Sequence, residues 1–352
     1  MQKRIILLLM LFLPACTREP VTRPGGEAVV RILPSLAEMP AATKGPVTGT
    51  VFPDNGTYGI FVCERGSTTT AHKPNSWNIR ARYSNDTDSW NYYYAGDFST
   101  GATTAASCEN ITLTVREDGA AADLYAYAPY TQNAFLSGPE AIPFTIAGRV
   151  NDQADLMYAV ENPDPAANTD LDPGSGGELT ARFSFRHVLS LLAFQFRLVN
   201  GASSYSLTDI GITLRDPDAD GVTTARLYTS GTFNALTGAV NPGGTVSDSM
   251  NISFSPYYPT VNSADRPTTA YLLLVPTEVD DDELVFTFTM NGQTLQPFVL
   301  KRAHLLHDDG VTSGFQPGCK YTFHFTLDNY VCFDGITVSR DWTAEILGTE
   351  EI

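Results

Sequence analysis

Three groups of residues have the types and spacing that chemistry could use. Asp216-Pro217-Asp218-Ala219-Asp220-Gly221 matches the start of a calcium loop, D-x-D-x-D-G. Hard cations take several oxygen ligands, and alternate acids before a glycine turn supply them. The twelfth position is Leu227, where a helix–loop–helix calcium site carries a bidentate glutamate, and no helical period flanks the loop. Asp216, Asp218 and Asp220 thus form a calcium candidate set against a plain solvated acidic turn. His304 and His307 with Asp308 and Asp309 form a second polar cluster. A metal needs convergent ligands, and a loop cluster of this kind is ordinarily solvated. His187 lies on an apolar strand face, where a hydrogen-bonded core role is the default. G-x-S-x-G, H-E-x-x-H and phosphate-cradling glycine loops are absent. No catalytic constellation, cofactor or metal centre is expected, which leaves a hydrolase-like enzyme without support.

The third group is the cysteines: Cys16, Cys63, Cys108, Cys319 and Cys332. Lys3-Arg4, the apolar run Ile5–Leu13 and then Pro14-Ala15-Cys16 have the layout of a secretory signal. The run is far shorter than the roughly 20 residues that span a bilayer. Leu13-Pro14-Ala15-Cys16 resembles a bacterial lipobox, with cleavage after residue 15 and a diacylglycerol on the Cys16 sulfur. Two or more acyl chains anchor firmly where one does not. Thr17-Arg18-Glu19-Pro20 carries one base and one acid and leaves surface exposure open. The other four cysteines contain no C-x-x-C pair, so neither a zinc ribbon nor a thioredoxin-like site is indicated. A Cys63–Cys108 bridge and buried free thiols both stay open. With a turn at Asp328-Asn329, Cys332 would face Phe325 and not Cys319.

Net charge is −17, and removing Lys3 and Arg4 makes the mature chain more acidic still. A nucleic-acid face is basic, so nucleic acid is not an expected partner. The length suits two domains, each able to bury its own core.

Strand signals dominate. Tyr321, Phe323, Phe325 and Leu327 alternate with polar residues, as do Leu284, Phe286, Phe288 and Met290, and Ile111, Leu113 and Val115. Such alternation between Gly, Pro, Asn and Asp clusters predicts half-buried strands in an all-β sandwich architecture. Apolar residues occupy odd positions from Phe183 to Leu189 and even positions from Leu192 to Leu198. A β-bulge or bend near Ser190 would restore one inward face. Residues 161–178 carry many breakers and no strand pattern, which places a domain boundary there. The organisation is then a signal peptide (1–15), a lipidated tether (16–27), an N-terminal domain (28–170) and a C-terminal domain (179–352). Ala28–Leu33 is the expected first strand. Trp77, Trp90, Tyr92, Tyr93 and Tyr94 could form a binding platform, although alternation would bury some of them.

Several segments, in order along the chain, resemble the fimbrillin family of Bacteroidales, the type V pilins and their relatives. They are Thr43-Lys44, then Asn55-Gly56-Thr57-Tyr58-Gly59-Ile60-Phe61, Trp90-Asn91-Tyr92, Leu124-Tyr125-Ala126-Tyr127-Ala128-Pro129-Tyr130 and Asp155-Leu156-Met157-Tyr158-Ala159. Phe185-Arg186-His187-Val188-Leu189-Ser190, Gly318-Cys319-Lys320-Tyr321 and Ile336-Thr337-Val338 with Trp342 complete the set. The resemblance implies two transthyretin-like β-sandwich domains in tandem.

It also implies a pilus subunit or adhesin delivered as an outer-membrane lipoprotein. A trypsin-like protease would cut behind the first strand, and a strand from a neighbouring fimbrial subunit would fill the groove by β-strand addition. Lys44 is the candidate cleavage point, and Arg31 a second. The tail Thr343–Ile352 has only Ile346, Leu347 and Ile352 as large apolar residues, a poor donor-strand pattern. That departure favours a tip, accessory or anchor subunit. The alternative is a lipid-anchored module of the same fold that never polymerises and binds a host glycan or protein.

Overall fold

The computed structural model describes residues 27–35, 56–84, 86, 89–95, 107–108, 111–114, 122–160, 179–199, 204–215, 226–256, 258–261, 267–279, 283–306, 313–328 and 331–339. Strands make up nearly all of its regular structure, as the period-2 alternation predicts. The first sheet has nine: β1 (Glu27–Ser35), β2 (Thr57–Glu64), β3 (Ile79–Ser84), β4 (Ser89–Tyr93), β5 (Ser107–Cys108), β6 (Ile111–Thr114), β7 (Ala122–Ala128), β9 (Met157–Val160) and β10 (Leu179–His187). Their order is β5-β4-β3-β2-β7-β9-β10-β1-β6. The two ends of this sheet, β5 and β6, are separated in the chain by residues 109 and 110 alone. At roughly 3.5 Å per residue they lie within about 10 Å of each other. The sheet therefore curls back on itself around one core, which contains Tyr58, Ile60, Ala126, Phe183 and Phe185.

The second core lies between two further sheets. One has the order β17-β11-β23-β24, from β11 (Ser190–Leu198), β17 (Thr268–Leu274), β23 (Lys320–Leu327) and β24 (Val331–Ser339). The other is built on β12 (Tyr205–Arg215), β15 (Ser249–Ser253) and β19 (Glu283–Met290). Phe194 of β11 sits 5.2 Å from Phe286 of β19 and 5.1 Å from Phe323 of β23, ring centroid to centroid. Strands β19 and β23 alternate inward and outward along their whole lengths, with the predicted residues inside.

Of the two expected devices near Ser190, the chain uses a bend, at Leu189, and the bend does not restore one inward face. β10 ends at His187 in the first sheet, and β11 begins at Ser190 in another. Phe183 and Phe185 line the first core, whereas Leu192, Phe194 and Phe196 line the second. The one-residue offset is what lets a nearly continuous strand serve both. The change of sheet thus falls at Val188-Leu189, and Leu179–His187 pairs with β9 and β1 of the N-terminal half. In the opposite sense, β8 (Ile142–Thr145) leaves the N-terminal half to pair with β13 (Leu227–Phe233), beside β14 (Val240–Ser247). Val150 reaches the second core as well.

Between the cores lies a third apolar cluster that includes Phe61, Tyr127, Phe144, Leu191, Phe233 and Leu273. Two buried polar residues cross it. Gln153 accepts from Leu273 N–H at 2.8 Å and donates to the Ala147 carbonyl at 3.2 Å. Asp155 lies 3.1 Å from His187 Nδ1, with both side chains nearly or fully out of solvent. His187 is thus the hydrogen-bonded core histidine that its strand position predicts. Gly59 marks a close approach in this layer, since a Cβ there would stand 2.1 Å from the Tyr127 ring. The Tyr127 hydroxyl lies 2.7 Å from Asn78 Oδ1 and 2.9 Å from the Thr131 carbonyl. Burial pushes that hydroxyl well above its ordinary pKa.

Removing the acid of a buried pair leaves its partner desolvated, so Asp155→Ala is expected to lower the unfolding free energy by about 2–3 kcal/mol. Urea denaturation followed by far-UV circular dichroism measures this, and an unchanged midpoint would contradict the assignment.

Candidate functional site at the first strand

β1 joins the end strand β6 to the rest of the nine-stranded sheet, and it does so in two halves. Glu27–Val30 pairs antiparallel with β6, Glu27 opposite Thr114 and Val30 opposite Ile111. Val30–Ser35 pairs parallel with β10, Val30 opposite Leu179 and Ser35 opposite Ser184. Val30 alone has a partner on both sides. The β1–β10 seam is also the one parallel pairing among the described strands of this sheet, the rest being antiparallel.

The side chains follow the strand period. Val30 and Ile32 are buried at 4% and 6% exposure, and Val29 points out at 38%. Both inward residues join the core that holds Ile111 and Leu113 of β6 and Ala181 and Phe183 of β10. Without β1, two ladders of backbone N–H and C=O groups would lose their partners, and an apolar slot would face water. Unpaired edges are templates for another strand. The arrangement can therefore receive an extended segment with apolar residues at alternate positions.

The predicted first strand, Ala28–Leu33, lies within β1. Arg31 stands in the ladder opposite Thr180. Cys16 and Lys44 fall outside the described residues, as do Asp216, Asp218 and Asp220, the tail from Thr343 and, of the histidine cluster, His307, Asp308 and Asp309. His304 serves a local cap, its Nδ1 accepting from Lys301 N–H at 3.1 Å. Among the described residues no three His, Cys, Asp or Glu converge as metal ligands, and no helix is long and apolar enough to cross a membrane.

The aromatic platform resolves mainly into packing. Trp77 packs on Phe61 and donates its indole N–H to the Phe135 carbonyl, while Trp90 stands edge-on to Tyr58 at 4.6 Å. Tyr93 carries the Arg80 guanidinium 4.7 Å above its ring. Tyr92 and Tyr94 pack against the first core.

Cys63, Cys319 and Cys332 are free thiols, so the Cys63–Cys108 bridge is not formed. β5 with Cys108 lies three strands away from β2 with Cys63, or about 14 Å at the usual strand spacing. The closing hairpin also departs from its predicted register: Cys332 faces Thr326, and Phe325 faces Phe333. The connection holds three residues, 328–330, where a two-residue turn was expected. Sequence reasoning did not identify the walls of the β1 seat. Ile111 and Leu113 read as a strand and Phe183 as apolar alternation, but a parallel pairing across about 150 residues leaves no local trace.

Ile32→Ala is expected to cost about 2–4 kcal/mol by opening a cavity. Hydrogen exchange should quicken in β6 and β10 and stay unchanged in β23. Equal acceleration everywhere would count against a local seat. The Cys63 thiol is pushed up to about 12, first by burial and then by the Asp123 carboxylate, so it stays neutral and unreactive at pH 8. Iodoacetamide with peptide mapping should label exposed Cys332 in the native protein, and Cys63 and Cys319 only after urea.

Comparison with known proteins fits this architecture. A fimbrillin-like family model matches residues 46–344, which begins after β1. No curated protein matches. A putative cell adhesion protein from Bacteroides ovatus superposes with a TM-score of 0.55 at 17% identity, covering 91% of this chain and 99% of that one. Another from Bacteroides uniformis gives 0.51 at 16%, covering 87% and 97%. Likeness at that identity speaks for the fold. With a family match over most of its length, this chain belongs to the fimbrillin-like family.

Proposed function

We propose that the chain is a fimbrial subunit, or a tip or accessory adhesin, whose β1 is an exchangeable strand. The observation that carries this reading is the split pairing of β1, which seals two sheet edges with one short segment. Such a strand is the piece whose loss would create an acceptor for a neighbouring fimbrial subunit. Delivery as a lipoprotein anchored through Cys16 to the outer membrane accords with the lipobox-like Leu13-Pro14-Ala15-Cys16. Cleavage at Lys44 would detach β1 and its lipid from the body in the covalent sense. Arg31 is the poorer target, because a protease needs an accessible extended chain and Arg31 is held in a ladder.

The tail Thr343–Ile352 lacks the alternation of a good donor strand. The second reading is a lipid-anchored glycan- or host-protein-binding module that does not polymerise.

Treating the purified mature protein with a trypsin-like protease should give cleavage at Lys44 followed by multimers that survive SDS. A protein that is cut there and stays monomeric would sink the stalk reading, and a glycan array would then separate tip adhesin from binding module. Mass spectrometry of the N-terminal peptide should find an acylated Cys16.

A further inference from the structure

The face of the first sheet turned away from its core carries a cation without a counter-charge. Ile79 and Ala81 of β3 enter the core, so Arg80 between them stands on the other face. One cross-strand row there reads Tyr93, Arg80, Gly59 and Tyr127, a residue each from β4, β3, β2 and β7. The Arg80 guanidinium carbon lies 4.7 Å from the Tyr93 ring centroid and 5.9 Å from that of Tyr130. Both distances fall within the range where a ring attracts a cation. Gly59 adds no side chain to the row, and the Tyr127 ring takes the space above it.

Tyr130 is held in place from behind. Thr131 N–H donates to the Tyr127 hydroxyl at 3.2 Å, and Asn78 Nδ2 donates to the Thr131 carbonyl at 3.1 Å. Trp77 Nε1 donates to the Phe135 carbonyl at 2.9 Å. These bonds fasten the segment after β7 to the residues that lead into β3, beside Arg80.

Among the described residues, the Arg80 side chain makes no hydrogen bond and no ion pair, and the hydroxyls of Tyr93 and Tyr130 make no hydrogen bond. Its Nε is buried without a hydrogen-bond partner. In a chain of 39 acidic and 22 basic residues, a half-buried guanidinium that no carboxylate meets is an exception. The rings attract the charge, but they offer no lone pair to the planar fork of N–H groups.

We propose that Arg80, Tyr93 and Tyr130 form a binding site for the carboxylate of an acidic saccharide. A guanidinium fork matches a carboxylate with two parallel hydrogen bonds. One cation suits a monoanion, whereas a phosphate site ordinarily gathers several donors. The two phenolic hydroxyls, with the exposed amides of Gln132 and Asn133 on the fastened segment, supply donors and acceptors for sugar hydroxyls. The site rests on the glycan-binding part of the reading above, gives it a place and a ligand class, and does not depend on strand exchange.

Saturation-transfer NMR on the mature protein tests this, with methyl glucuronide as the acidic probe and methyl glucoside as its neutral counterpart. The glucuronide should bind and the glucoside should not. Equal binding of the two would overturn the carboxylate assignment. Arg80→Lys keeps the charge but loses the fork, and should weaken binding about tenfold or more. Tyr130→Phe keeps the ring and removes only the hydroxyl. It should weaken binding about threefold with an unchanged unfolding midpoint, which separates lost binding from lost folding. Full affinity in both variants would overturn the site. Acetate should displace the glucuronide only at higher concentration. Acetate as tight as the glucuronide would overturn the saccharide assignment, and phosphate tighter than acetate would overturn the carboxylate. The glycan-binding reading fails differently. A glycan array silent for acidic and neutral sugars alike sinks it together with the site. Neutral glycans bound equally by the natural protein and by Arg80→Lys sink the site alone.

Discussion

A β-sheet cannot end cheaply. Its last strand leaves a row of donors and acceptors that must find water, a cover or another strand. In this protein the nine-stranded sheet curls back on itself, and β1 is the segment that joins its end strand β6 to β10. It gives its first half to β6 and its second half to β10, sharing only Val30 between them. The apolar core beneath depends on the same segment through Val30 and Ile32. Backbone pairing and core burial are therefore vested in one nine-residue stretch close to the N-terminus.

The rest of the molecule is built to stay put. The Asp155–His187 pair and the doubly bonded Gln153 side chain fasten the region where the chain passes from the first sheet to the next. Gly59 lets the Tyr127 ring lie against the β2 backbone, while the Tyr127 hydroxyl reaches Asn78 and Thr131. These contacts explain in physical terms why the Gly59-Ile60-Phe61 and Tyr125-Ala126-Tyr127 segments occur together in one chain. The proposed exchange at β1 would proceed against this fixed background.

Local order was legible in the sequence, and long-range pairing was not. The alternation in Leu284–Met290 and Tyr321–Leu327 gave both the strands and their buried faces, because period 2 is a property of neighbouring residues. The seat of β1 combines Ile32, Ile111 and Phe183, which no local pattern connects. The break in alternation at Val188-Leu189 was visible, but a bulge and a change of sheet leave the same mark on a sequence. A strand's face is encoded locally, while its choice of sheet is decided by packing. The breaker-rich run 161–178 precedes β10, and polar composition does not record which sheet the chain re-enters.

The exchange of β8 and β10 across the midline has a bearing on descent. β8 lies early in the chain yet completes a sheet with β13, and β10 lies after the long polar run yet pairs with β1 and β9 in the first sheet. A genetic crossover within 161–178 would join halves from two parents that must still match at β8–β13, at β9–β10 and across the Asp155–His187 contact. Lineages carrying this interleaved arrangement should inherit the body as one block, with diversity gathering in the connecting segments.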